Sequence, residues 1–90
     1  MPYALICLDK EGAIEVRKNN REAHLAYIQD TGVVAQAGPF LGDDGIMIGS
    51  LVILDVDDRA AAEHWAAGDP YAIAGLFQRV EIFAWKKVVG

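Results

Sequence analysis

Two short runs of this chain are wholly apolar, Tyr3-Ala4-Leu5-Ile6-Cys7-Leu8 and Leu51-Val52-Ile53-Leu54. Each is too short for a buried helix, and each reads as a strand covered on both faces. Such strands belong in the middle of a sheet, with one layer above them and another below. Any fold assigned to this chain must therefore supply two covers.

The remaining elements can be placed around those strands. The first strand ends at the polar turn Asp9-Lys10-Glu11-Gly12. A helix is predicted from about Ala13 to Asp30, stopping at Thr31-Gly32, where glycine takes the left-handed C-terminal position. Val33 to Phe40 reads as strand two, with Pro39 near its end as an edge strand or strand terminus permits. The turn Gly42-Asp43-Asp44-Gly45 then leads into strand three, Ile46 to about Val56, which makes an antiparallel hairpin. Asp57-Asp58 offers a cap for a second helix closed by Gly68. Asp69-Pro70 opens a shorter helix, Tyr71 to Leu76, with aspartate as cap and proline at the first helical position. Val80 to Trp85 is strand four.

The order β-α-β-β-α-β predicts an α+β, ferredoxin-like sandwich with a four-stranded antiparallel sheet in the order 4-1-3-2 and both helices on one face. Residues 1–90 form one domain in this reading. The helices leave the second sheet face bare, and the composition, 53% hydrophobic and 23% charged, exceeds what a lone small domain readily hides. Two copies packed sheet to sheet, a homodimer, would cover it.

A net charge of −5 argues against a nucleic-acid footprint, which needs a basic patch. No run approaches the roughly 20 apolar residues of a membrane span. The start of the chain lacks the pattern of a signal peptide, and Cys7 has no intrachain disulfide partner. The expected location is the cytoplasm.

The first helix breaks its own amphipathic pattern. Glu15, Lys18, Asn19, Glu22, Gln29 and Asp30 gather on one side, and Ile14, Val16, Leu25, Tyr27 and Ile28 on the other. Arg17, Arg21 and His24 lie inside the apolar arc, with His24 near its middle. Burying a cation there is costly unless something pairs it, so this helix is expected to border a cavity.

Arg17…Arg21-x-x-His24-x-x-Tyr27, then Gly38-Pro39, Gly45-x-x-x-Gly49-Ser50, and Asp69-Pro70-Tyr71 with Ala74-Gly75-Leu76-Phe77 resemble the YciI-like, YCII-related proteins over essentially the whole chain. That resemblance implies a dimeric α/β barrel, in which two ferredoxin-like subunits pack their sheets together. It also implies an active site built on a histidine and an aspartate, which by position are His24 and Asp69.

Imidazole changes protonation near neutral pH, and a proton-transfer base benefits from a carboxylate that orients its ring. One Asp69 oxygen is expected to cap the helix while the other faces His24. Arg17 and Arg21 either extend into water or bind an anionic or enolate-like oxygen, with Arg21 favoured because it lies one turn from His24. Ser50 reads as a hydrogen-bond donor and Tyr71 as a residue lining the pocket. His64 reads as solvated. No cluster has metal-ligand spacing, and no glycine-rich phosphate loop is present, so neither metal nor cofactor is expected. The reading is a small enzyme that moves a proton on a small cyclic or carbonyl-bearing compound, of lyase or isomerase type. Its alternatives are a non-catalytic dimer that binds a small anion and a structural protein with a packed core histidine.

Overall fold

The computed structural model describes all residues, Met1 to Gly90. Its elements are β1 (Pro2–Asp9), α1 (Ile14–Thr31), β2 (Val34–Leu41), β3 (Met47–Asp55), α2 (Arg59–Gly68), α3 (Pro70–Ile73) and β4 (Phe77–Ala84). The strands form one antiparallel sheet in the order β2-β3-β1-β4, which is the predicted order read from the other edge.

Register decides which side chains reach the helices. Leu5 pairs with Val52 and Ile82, Tyr3 with Leu54, and Cys7 with Ser50 and Val80. Side chains directly opposite each other share a face, so Tyr3, Leu5, Cys7, Ser50, Val52 and Leu54 line one side. Ala62 and Trp65 of α2 join five of these in the buried core, with Tyr27 and Ile28 of α1 packed against it. Both long helices therefore cover the same face. Ala4, Ile6, Leu51, Ile53 and Phe83 occupy the other, where no helix lies, and Phe83 is half exposed.

Local chemistry sets the helix ends. Gly32, at φ 67°, ends α1 in the left-handed region, and its N–H donates to Ile28 O; glycine accepts that geometry without a Cβ clash. The Asp58 carboxylate accepts from Ala61 N at 2.8 Å and caps α2. The C-terminal half of α1 is clamped to α2, because Tyr27 donates to Trp65 O at 2.8 Å and the Trp65 indole donates to Thr31 Oγ1 at 2.9 Å. That clamp holds the His24 turn in place.

Two boundaries and the burial of one side chain differ from the sequence expectation. Strand four begins at Phe77, not Val80, because Phe77 pairs with Asp9 across a register shift in the β1–β4 ladder. The short helix is a single turn ending at Ile73, since Gly75 adopts φ 77° and turns the chain into β4. Leu25, assigned to the core arc, is 44% exposed at the edge of a cavity. No helix is long and apolar enough to cross a membrane.

Candidate active site

Only two residues of α1 are buried, and they are Arg17 and His24. A cavity of about 240 Å³ lies between that helix and the β2–β3 edge of the sheet. Arg17, Arg21 and His24 contribute from α1, Ser50 and Val52 from β3, Gly38 and Pro39 from β2, and Tyr71 from α3. The space suits a single-ring compound, and its walls mix apolar surface with a few polar groups, as small-molecule sites do.

His24 Nδ1 lies 2.8 Å from Asp69 Oδ1, with both side chains buried. Asp69 Oδ1 also accepts from Tyr71 N at 3.0 Å, capping α3. The expected division of labour between the two carboxylate oxygens is therefore corrected: one oxygen serves both the cap and the imidazole. This is possible because a carboxylate oxygen has two acceptor directions, and because Tyr71 stands directly beside His24. With Nδ1–H donated to Asp69, the neutral ring presents its lone pair at Nε2. Nε2 has no protein partner, yet no fully buried side-chain nitrogen or oxygen lacks one. Nε2 is thus open to the cavity that His24 lines.

The His24 ring stacks on Tyr71 with centroids 3.9 Å apart and planes 16° from parallel, and the Arg17 guanidinium lies 4.8 Å from the same ring. Two helical turns, about 10.5 Å of rise, separate Arg17 from His24, and the Tyr71 ring fills the gap between their side chains. Phe77 meets Tyr71 edge-on, with the planes at 83°. Burial raises the Tyr71 phenol above its ordinary pKa and Asp69 adds to this, while Arg17 and Arg21 pull it down. The net shift is upward, so the phenol keeps its proton at neutral pH.

Arg17 overturns the solvated reading of its side chain. It is 3% exposed, donates from Nε and Nη2 to the two Asp9 oxygens at 2.8 and 2.9 Å, and donates from Nη2 to Ser50 Oγ at 2.9 Å. Burial alone would lower its pKa, but the hydrogen bonds and charge of Asp9 outweigh that and the net shift is upward. Arg21, the arginine favoured from sequence, is exposed at the cavity rim. Asp9 was missed, having been read as part of a polar turn. A usable signal existed, because Asp9 continues the period-two series Tyr3, Leu5, Cys7 that faces the helices.

His64 is exposed, as expected for a solvated side chain. The structure holds no cluster of three or more His, Cys, Asp or Glu suited to a metal ion. Cys7 is buried beneath the site, and its thiol is pushed up to about 12 by burial first and by the charge of Asp69 second.

This four-stranded ferredoxin-like layer, with a buried His–Asp pair under a small cavity, has the fold of the dimeric α/β barrel proteins. The chain belongs to the YCII-related family, whose domain profile matches residues 1–86. It is 37% identical over 97 residues to the protein YciI of Escherichia coli, covering 98% of this chain and 99% of that one. An uncharacterised Haemophilus influenzae protein is 32% identical over the same coverage. Among solved structures, the 5-chloro-2-hydroxyhydroquinone dehydrochlorinase of Burkholderia phenoliruptrix AC1100, in complex with 2,5-dihydroxybenzoquinone, superposes with a TM-score of 0.87 at 32% identity, covering 96% of this chain and 94% of that one. The cofactor-independent oxygenase SnoaB of Streptomyces nogalater, at 13% identity and a TM-score of 0.65 over 98% and 95% of the two chains, shares the fold.

Proposed function

We propose that this protein is a small enzyme of lyase or isomerase type that moves a proton on a small cyclic, carbonyl-bearing or hydroquinone-like compound. The observation that carries the reading is the buried His24–Asp69 contact of 2.8 Å, with the opposite ring nitrogen open to the cavity.

His24 Nε2 takes a proton from an acidic O–H or C–H of the bound ring. Asp69 accepts the Nδ1–H hydrogen bond throughout and stabilises the imidazolium that forms. The released electron pair moves onto a carbonyl oxygen or expels a leaving group from the neighbouring carbon. In an elimination the net change is loss of HX, the proton resting on His24 and X⁻ departing. In an isomerisation His24 returns the proton to another carbon. Ser50 and Tyr71 line the cavity, and their hydroxyls are the donors that stabilise an oxygen that gains charge. Arg21, in no ion pair, attracts anionic ring compounds from the rim. The step needs a proton acceptor and hydrogen-bond donors, so no cofactor or metal enters the proposal.

The dehydrochlorinase is 32% identical along nearly the whole chain, which supports a ring compound that loses HX as the substrate class. The apolar sheet face bearing Ile6, Leu51 and Phe83 supports a homodimer as the working form. A panel of chlorinated hydroquinones, small enols and lactones incubated with wild type and His24→Ala tests the function. Turnover by the wild type alone supports it. No turnover of any member, with ligand binding retained in both proteins, favours a binding module over an enzyme.

A further inference from the structure

Asp9, like Asp69, touches the site from outside the cavity wall. Its two oxygens receive Nε and Nη2 of Arg17, the two-point contact that a planar guanidinium makes with a carboxylate. The remaining Nη2 hydrogen goes to Ser50 Oγ at 2.9 Å. A guanidinium has donors only, so Ser50 Oγ must accept at that contact. The hydroxyl proton is forced away from Arg17, and Ser50 makes no other side-chain hydrogen bond. Since Ser50 lines the cavity, that proton is left for whatever occupies it.

We propose that Asp9 is a positioning residue: by locking the Arg17 fork it fixes the direction of the Ser50 hydroxyl, which donates to the substrate oxygen that gains charge as His24 takes a proton. The last clause rests on the proton-transfer reading of the cavity. The fixing of Arg17 and Ser50 by Asp9 rests on geometry alone.

The fold supports the relay at each end. Asp9 follows Cys7 on the inward face of β1, and the loop after it is pinned by Lys10 N donating to Leu76 O at 2.9 Å. Arg17 lies near the N-terminus of α1, where the helix dipole disfavours a cation and favours a carboxylate. Asp9 therefore compensates a charge that its position alone would not hold. The pair carries no net charge, so Arg17 orients Ser50 without adding a free cation, and Arg21 is the unpaired cation of the site. A lysine at position 17 would keep the charge but has no planar fork to bridge Asp9 and Ser50.

The test begins without ligand. NMR of wild type, Asp9→Asn and Arg17→Lys reads the exchange of the residue-17 side-chain protons and the Ser50 Hα–Hβ couplings. Arg17→Lys keeps a cation against Asp9 and so avoids the unpaired buried charge that Asp9→Asn leaves behind. The proposal expects a slowly exchanging Arg17 Nε–H and a single Ser50 rotamer in the wild type, with averaged Ser50 rotamers in both variants. A Ser50 side chain equally fixed in all three proteins overturns it. Titration with 2,5-dihydroxybenzoquinone then reads the consequence. Ser50→Ala and Arg17→Lys should each weaken binding about tenfold, and the double variant should bind no more weakly than Ser50→Ala alone. Losses that multiply in the double variant overturn the relay. A wild type that binds no quinone counts against the proton-transfer reading, while the Ser50 couplings still decide the role of Asp9.

Discussion

The imidazole of His24 lies flat against the phenol ring of Tyr71, with centroids 3.9 Å apart. Such stacks contribute about 0.5–1.5 kcal/mol beyond burial, and here the ring also walls off one side of the base. Tyr71→Phe keeps that ring and removes only the hydroxyl beside Arg17, so it should change stability by at most about 1.5 kcal/mol. Tyr71→Ala removes the ring that both His24 and Arg17 contact and should cost about 3–5 kcal/mol. Urea unfolding of the two variants checks the contrast.

Asp69 joins the cap of α3 to the orientation of His24 through one oxygen. Asp69→Asn keeps an acceptor for Tyr71 N and should lose little stability. Asp69→Ala loses the cap, about 1 kcal/mol, and leaves a buried His24 nitrogen without its partner, about 1–3 kcal/mol more. Denaturant midpoints should therefore rank wild type, Asn, then Ala, with the two variants at least about 1 kcal/mol apart.

The Cys7 thiol, pushed up to about 12 from an ordinary 9.0, ties stability to alkaline pH. Above pH 9 the unfolded chain releases the thiol proton while the folded chain keeps it. The unfolded state then binds fewer protons, and stability falls as pH rises from about 9 toward about 12. Unfolding free energies across that window should fall more steeply in wild type than in Cys7→Ala. Native Cys7, 2% exposed, should also resist a thiol-labelling reagent at neutral pH and react on unfolding.

The uncovered sheet face yields a prediction about assembly. Phe83 is 52% exposed there, beside Ala4 across the β1–β4 pair. Phe83→Lys places a charge on the proposed contact, and sedimentation should find a dimer for wild type and a monomer for the variant. A monomeric wild type would contradict the homodimer.

The sheet order was legible because it rests on coarse signals. Tyr3–Leu8 and Leu51–Leu54 mark the two central strands, glycine marks the end of α1, and Asp58 and Asp69 mark helix starts. His24 was legible for the opposite reason, as a polar residue on an apolar arc. Asp9 was hidden because a strand's last inward position and the first residue of a turn look alike in sequence. Its pairing with Arg17 depends on a tertiary approach that no local pattern encodes. The same approach decides between the arginines: helical proximity to His24 favoured Arg21, but only Arg17 has a buried carboxylate to hold it. Phe77 was excluded from strand four because the exposed Gln78 and Arg79 interrupt its apolar pattern.

Whether His24 is the proton acceptor is decided by the turnover rate of the best substrate from the panel in wild type and in His24→Gln. Glutamine keeps a polar side chain within reach of Asp69 but has no imidazole lone pair to accept a proton. In His24→Gln, kcat should fall at least about 10²-fold, with 2,5-dihydroxybenzoquinone still bound by the variant. Equal rates in the two proteins would contradict that role.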